Sequence, residues 1–177
     1  MNNQASTDIL ILTGPPGSGK NTIAAALAQH RSRCAVIDVD LVRWMVMKPH
    51  RAPWDGPEGK TQQALSIQNA CVLAKRFRQA GYPVVLHDVL SDDTADLYRA
   101  ELAGSVPKII LLLPTVEEIL RRNTLRPPRL HPHEIALLYE QQRQLTTYDL
   151  KIDNTTLTAE EVATRIAGLT HEENGWS

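Results

Sequence analysis

The chain has 177 residues, a formal net charge of -1 and 22% charged residues. This is one domain's length, enough to bury a sizeable core; with no basic tail or Lys/Arg block, a nucleic-acid groove is not expected. The two cysteines, Cys34 and Cys71, form no Cys-x-x-Cys pair, and no signal peptide or membrane span is visible, so a reducing, cytoplasmic setting away from membranes is expected.

Strand and helix signals alternate along the chain. The apolar run from Asp8 to Thr13 reads as a strand, and Lys20 to His30 as an alanine-rich helix. Between them lies Gly14-Pro15-Pro16-Gly17-Ser18-Gly19-Lys20, then Asn21-Thr22. This is a phosphate-binding loop, Gly-x-x-x-x-Gly-Lys, with a strand before it and a helix after it. Its glycines let backbone N–H groups curl round an anion, and the helix start turns its positive dipole end to the same point. Lys20 adds a full charge for the β- and γ-phosphates of ATP. The residue after the lysine is ordinarily Ser or Thr, whose hydroxyl ligates Mg²⁺; here it is Asn21.

Ala35 to Asp38 reads as a short strand, followed by one or two helical turns from Asp40 to Met47. Asp38 and Asp40 leave that strand two residues apart. One suits a metal shell and the other can accept a proton from a hydroxyl, unless Asp40 merely caps the helix. On such a helix Asp40, Arg43 and Trp44 share a face near an acceptor, although Trp44 fits a core position equally well. Residues 48–59 hold three prolines and two glycines and read as a loop carrying Arg51, Trp54 and Asp55, a cover over an acceptor site.

Thr61 to Ala80 reads as a long helix stopped by Gly81 and Pro83. Val84 to Asp88 is an apolar strand ending in an acid, the shape of an element whose carboxylate holds Mg²⁺. Helix Ser91 to Ala103, strand Lys108 to Leu113 and helix Thr115 to Thr124 follow, with Ser91 and Thr115 as caps. Arg122, Arg126 and Arg129 stand in an arginine- and proline-rich stretch over 122–132, read as a phosphate-clamping lid; Arg121 reads as a solvated helix face. Helix His133 to Leu145, strand Leu150 to Asp153 and a last helix from Thr158 to Leu169, boxed by Glu161, complete the chain. His87, His131 and His133 suggest no metal site. Apolar strands separated by helices mean a parallel sheet covered on both faces, with ligands at the strand carboxyl ends.

The phosphate loop, Ile37-Asp38-Val39-Asp40 and the arginine-rich lid together resemble the small P-loop kinases of the shikimate kinase, gluconate kinase and chloramphenicol phosphotransferase type, including bacterial AAA-domain kinases. The resemblance spans residues 8–169 and implies one α/β P-loop NTPase domain over 1–177. Its five-stranded parallel sheet would have order 2-3-1-4-5, with helices on both faces and a lid. It implies that Gly17, Ser18, Gly19, Lys20 and Thr22, with Gly14, Pro15 and Asn21 in the same loop, hold the phosphates. Asp38 would organise Mg²⁺ beside Asn21 and Asp88, and Asp40 would be the acceptor-side acid. Arg122 would stack near adenine, with Arg126 or Arg129 as the lid arginine. The implied activity moves the γ-phosphate of ATP to a hydroxyl of a small metabolite or antibiotic. Asn21 also admits a nucleotide-binding sensor or pseudo-kinase. Asp88-Val89-Leu90-Ser91 replaces the glycine-rich acceptor loop of shikimate kinases, which argues against shikimate. Leu150-Lys151-Ile152-Asp153 lacks the asparagine that guanine recognition needs.

Overall fold

The computed structural model describes residues 9–125 and 131–174. Five strands, β1 (Ile9–Thr13), β2 (Ala35–Asp38), β3 (Val84–His87), β4 (Lys108–Leu112) and β5 (Leu150–Ile152), form one sheet of order β2-β3-β1-β4-β5, with every pair parallel. The expected order is met. Around it lie α1 (Lys20–Gln29), α2 (Val39–Trp44), α3 (Gly56–Gln79), α4 (Asp92–Glu101), α5 (Val116–Thr124), α6 (Pro132–Arg143) and α7 (Ala159–Asn174).

The central strands carry unbroken apolar runs because both faces are covered. Alternation along β1 divides them between two cores. Ile9 and Ile11 join Val84, Leu86 and Ile109 on one face, packed with Ile67, Ala70 and Tyr98 from α3 and α4. Leu10 and Leu12 join Val85, Ile110 and Leu112 on the other, packed with Ile23, Leu27 and Val162 from α1 and α7. Among the described residues no helix is long and apolar enough to cross a membrane.

Several boundaries differ from the sequence reading. Helix α3 begins at Gly56, not Thr61, so the expected loop 48–59 is helical in its last residues. Pro57 sits in the first turn, where a missing N–H costs nothing. Gly59 is a packing residue of that helix: a Cβ there would stand 2.0 Å from the Ala52 carbonyl oxygen. The preceding loop is tied down by Gln62, which accepts from Arg51 N at 2.9 Å and donates to Pro49 O at 2.6 Å. Helix α2 begins at Val39 and is capped by Asp38, whose carboxylate accepts from Asp40 N at 3.0 Å. Asp40 is therefore a first-turn residue and not the cap. The expected caps at Ser91, Thr115 and Thr158 are all present.

Candidate functional site

β1 leads into the loop of residues 14–19, and α1 starts at Lys20. Gly14 has φ 149°, and a Cβ on it would stand 2.2 Å from the Leu112 carbonyl oxygen of β4. Only glycine lets the loop turn this close to the sheet. Gly19 caps α1 with no side-chain hydrogen bond, which leaves the first-turn amides directed into the loop. The fully buried Ser18 Oγ has no partner among the described residues. Lys20 is 9% exposed, and its Nζ donates to Gly14 O at 2.7 Å and Pro15 O at 3.2 Å. Burial pulls the Lys20 pKa down to about 8, against the raising influence of Asp40, Asp88 and Asp38. The loop is thus a cradle for an anion, with a reluctantly charged lysine at its mouth and three carboxylates around it.

The carboxylates come from two adjacent strand ends. Register places Asp38 opposite His87, whose Nδ1 lies 3.9 Å from Asp38 Oδ1. Burial lowers the His87 pKa and outweighs the raising pull of Asp38. Asn21 Nδ2 donates to Asp38 Oδ2 at 3.4 Å, bringing the anomalous loop residue onto the first acid. One turn on, Asp40 Oδ1 accepts from Arg43 Nη2 at 2.6 Å, with Arg43 mostly buried and Asp40 half exposed. Asp88 is buried, and both of its oxygens are engaged: Val89 N donates to Oδ1 at 2.8 Å and the Tyr98 hydroxyl to Oδ2 at 3.0 Å. Burial pushes the Asp88 pKa up to about 6. That arrangement fixes the orientation of the carboxylate beside the phosphate loop.

Two pockets flank the loop. A cleft of about 680 Å³ has Pro16, Asp40, Arg43 and Asp88 among its lining residues. Pro53, Trp54, Lys60 and Gln63 form one wall, from the end of the α2–α3 loop and the first turns of α3. The α6 side contributes Leu138, Gln141 and Gln142, with Leu145 just beyond the helix. Gln142 closes a buried ring: its Oε1 accepts from Thr13 Oγ1 at 3.1 Å, its Nε2 donates to Leu90 O at 2.5 Å, and Leu90 N donates to Thr13 Oγ1 at 3.0 Å. The ring locks the end of β1, the β3–α4 loop and α6 together at the cleft. Trp54 lines the cleft, but Trp44 does not. Trp44 is exposed and stacks on His50 at 3.8 Å, so it does not belong to the core.

The second pocket, about 340 Å³, lies on the other side of α1. Thr22, Arg122, Asn154 and Thr155 help line it. Arg122 donates to Glu118 Oε1 at 2.7 Å, Asn154 O at 2.8 Å and Ser18 O at 3.3 Å. Its guanidinium is thereby a brace for the phosphate loop, a role that the sequence reading did not assign to it. Hydrogen bonds from Arg121 and Arg122 hold the Glu118 carboxyl down at about 2. Arg121 is on a solvated face, as expected. Arg126 and Arg129 lie outside the described residues.

A family model described as "AAA domain" matches residues 10–132. The chain belongs to the AAA domain family. Its fold is that of the small P-loop kinases. It is similar to a gluconokinase from Sinorhizobium meliloti 1021, with 20% identity, 96% of this chain and 95% of that one covered, and a TM-score of 0.67. It is similar to shikimate kinase from Acinetobacter baumannii in complex with shikimate, with 20% identity, 92% of each chain covered and a TM-score of 0.62. It is also similar to the tunicamycin resistance protein of Deinococcus radiodurans, with 19% identity, 91% and 94% covered and a TM-score of 0.64. No curated protein matches the sequence.

Within this family fold the structure brings Lys20, Asp38, Asp40, Arg43 and Asp88 to one end of the sheet, as the strand-end rule anticipates. Tyr98, Gln142 and Thr13 escaped the sequence reading. Tyr98 sits at a helical apolar position and looks like core; only its hydrogen bond to Asp88 reveals a second role. Gln142 stands in an unremarkable run of glutamines and carries no sequence signal.

Proposed function

We propose that the protein is an ATP-dependent phosphotransferase acting on a hydroxyl of a small molecule. The observation that carries this reading is that one loop borders two sites. The cradle around Lys20 opens through Pro16 and Asp40 onto the 680 Å³ cleft, so a phosphate held in the loop would face an acceptor in the cleft. The 340 Å³ pocket beyond Thr22 is placed to take the nucleoside end of ATP.

In this reading the loop amides and Lys20 hold the β- and γ-phosphates, and binding an anion favours the charged lysine. Asp40, oriented by Arg43, takes the proton as the acceptor oxygen attacks phosphorus in line. The new O–P bond forms, the bond to the β-phosphate bridging oxygen breaks, and ADP leaves. Arg43 Nε is buried without a partner among the described residues, leaving a donor for an acceptor oxygen. The donor set near Asn21 suits Mg²⁺: a carboxylate from Asp38 and, with the amide turned over, the oxygen of Asn21, the remaining positions going to phosphate and water. When bound, the ion would offset charge on the phosphates.

The test is ADP release from MgATP across a panel of hydroxyl metabolites, nucleosides and antibiotics. Acceptor-dependent release supports the reading, and failure to bind a non-hydrolysable ATP analogue by calorimetry rejects it. A second reading, a nucleotide sensor with little turnover, is favoured by Asn21 in place of the hydroxyl. Tight analogue binding with silence against every acceptor would support it.

A further inference from the structure

The charge and shape of the cleft narrow the acceptor class; this inference rests on the phosphotransferase reading above. A carboxylate substrate is ordinarily held by a free guanidinium or a pair of convergent cationic donors. Among the described residues Arg43 is the arginine that lines the cleft, and its charge is offset by Asp40, which accepts from its Nη2 at 2.6 Å. Lys60 is exposed, so its charge is screened by water. Among the described lining residues, these two cations face three acids, Asp40, Asp88 and Asp92. Asp92 accepts from Thr146 N, Thr146 Oγ1 and Thr147 N at 2.9, 3.1 and 2.7 Å, which fixes its carboxylate in place. An anionic ligand would meet an excess of fixed negative charge here.

The uncharged lining has its own preference. Gln142 has both ends of its amide committed within the protein. No hydrogen bond is seen from the side chains of Gln63 or Gln141 among the described residues, which leaves amides that match hydroxyls equally as donors and acceptors. Trp54, Pro16, Pro53, Leu138 and Leu145 add flat and apolar surface on which the C–H face of a ring can lie. We propose that the acceptor is a hydroxylated ring compound that is uncharged or carries an amine, and that carboxylate-bearing acceptors are disfavoured by the cleft. The inference sets this chain apart from its structural neighbours named for gluconate and shikimate, both of which are acids.

The experiment uses three probes on one scaffold: glucosamine, glucose and glucuronate. Their binding to the full chain is measured by saturation-transfer NMR with a non-hydrolysable ATP analogue and Mg²⁺ present. Glucosamine and glucose should bind about tenfold more tightly than glucuronate, the order expected for one net charge several ångströms away in partly solvated surroundings. Added salt should shrink the gap. Lys60→Gln should widen it and Asp88→Asn should narrow it, and the exposed position of Lys60 makes the first variant an independent reading of the charge. Equal or tighter binding of glucuronate, or binding of none of the three, overturns the inference. ADP release assayed alongside reports separately on phosphotransfer: glucuronate turnover would sink the charge assignment and leave the kinase reading standing. The predicted binding order without ADP release from any probe or wider panel member would do the reverse.

Discussion

Arg122 and Asn154 converge on one oxygen. The carbonyl of Ser18 accepts from Arg122 Nη1 at 3.3 Å and from Asn154 Nδ2 at 2.8 Å, while Arg122 also donates to Asn154 O. α5, the loop after β5 and the phosphate loop are thereby braced together. Arg122→Met should cost about 1–3 kcal/mol, since it removes the donor to the Asn154 carbonyl and one of the two donors to Ser18 O. It should also weaken ATP-analogue binding, because the loop loses its brace. Denaturant unfolding and calorimetry check the two effects, and unchanged affinity would reduce Arg122 to a purely structural tie.

Lys20→Met should abolish binding of the ATP analogue without lowering stability at pH 7. Burial holds the folded-state pKa at about 8, below the ordinary lysine value of 10.5. The charged lysine is therefore disfavoured in the folded protein throughout the range below pH 8, and the parent gains stability as pH rises from about 8 towards 10.5. The variant carries no such penalty. Melting curves at pH 7 and pH 10 should show its relative advantage shrinking at the higher pH.

Asp88→Asn should stabilise the fold near neutrality. The Asp88 pKa is raised from 3.8 to about 6, so between these values the folded state holds the proton more tightly than the unfolded state does. Stability attributable to this group falls as pH rises through that window, and the penalty is complete above it. It amounts to about 3 kcal/mol at one pKa unit per 1.36 kcal/mol. Losing one of the two hydrogen bonds from Tyr98 and Val89 offsets part of it, which leaves a net gain of about 1–2 kcal/mol. Thermal melts from pH 4 to pH 8 should show the gain at pH 7.5 and none near pH 4; a variant less stable at every pH contradicts the account.

Asn21→Ser should increase the Mg²⁺ dependence of nucleotide binding. A hydroxyl fits an octahedral shell with less strain than a branched amide, and the substitution frees Asp38 from its contact with Asn21. Calorimetric titration of ATP with and without Mg²⁺ reads this directly. A loss of affinity in both conditions would assign Asn21 a dedicated contact with the nucleotide.

Asp40→Asn should lower turnover by roughly 10²–10⁴-fold, the usual span for a general base, with ATP affinity little changed. Single-turnover assays with an accepted substrate separate the two. Near-normal turnover would leave Asp40 as an anchor for Arg43.

The phosphate loop, the parallel sheet and the set of strand-end acids were legible in the sequence because each rests on local chemistry. A Gly-x-x-x-x-Gly-Lys run between an apolar strand and a helix has one physical use, and continuous apolar strands separated by helices require cover on both faces. The helix caps at Ser91, Thr115 and Thr158 were legible for the same reason: a cap acts over three residues. Helix α3 began earlier than its pattern suggested because Pro57 and Gly59 read locally as breakers. Only the fold reveals that one fills a first turn and the other packs under Ala52.

The tertiary structure alone decided how the acids divide. Asp38, Asp40 and Asp88 are equivalent as letters at strand ends. Burial and partners make them different: a helix cap beside Asn21, an exposed partner of Arg43, and a buried carboxyl fixed by Tyr98. The tertiary structure likewise makes Arg122 a brace of the phosphate loop and brings Gln142 across 129 positions to Thr13. A side chain's ionisation and hydrogen bonding depend on the dielectric and the donors around it, and those come from elements distant in sequence. The sequence by itself therefore determined that the chain makes a phosphate cradle at the end of a parallel sheet. Which side chains face the neighbouring cleft, and with what charge, became determined only when the strands were laid side by side.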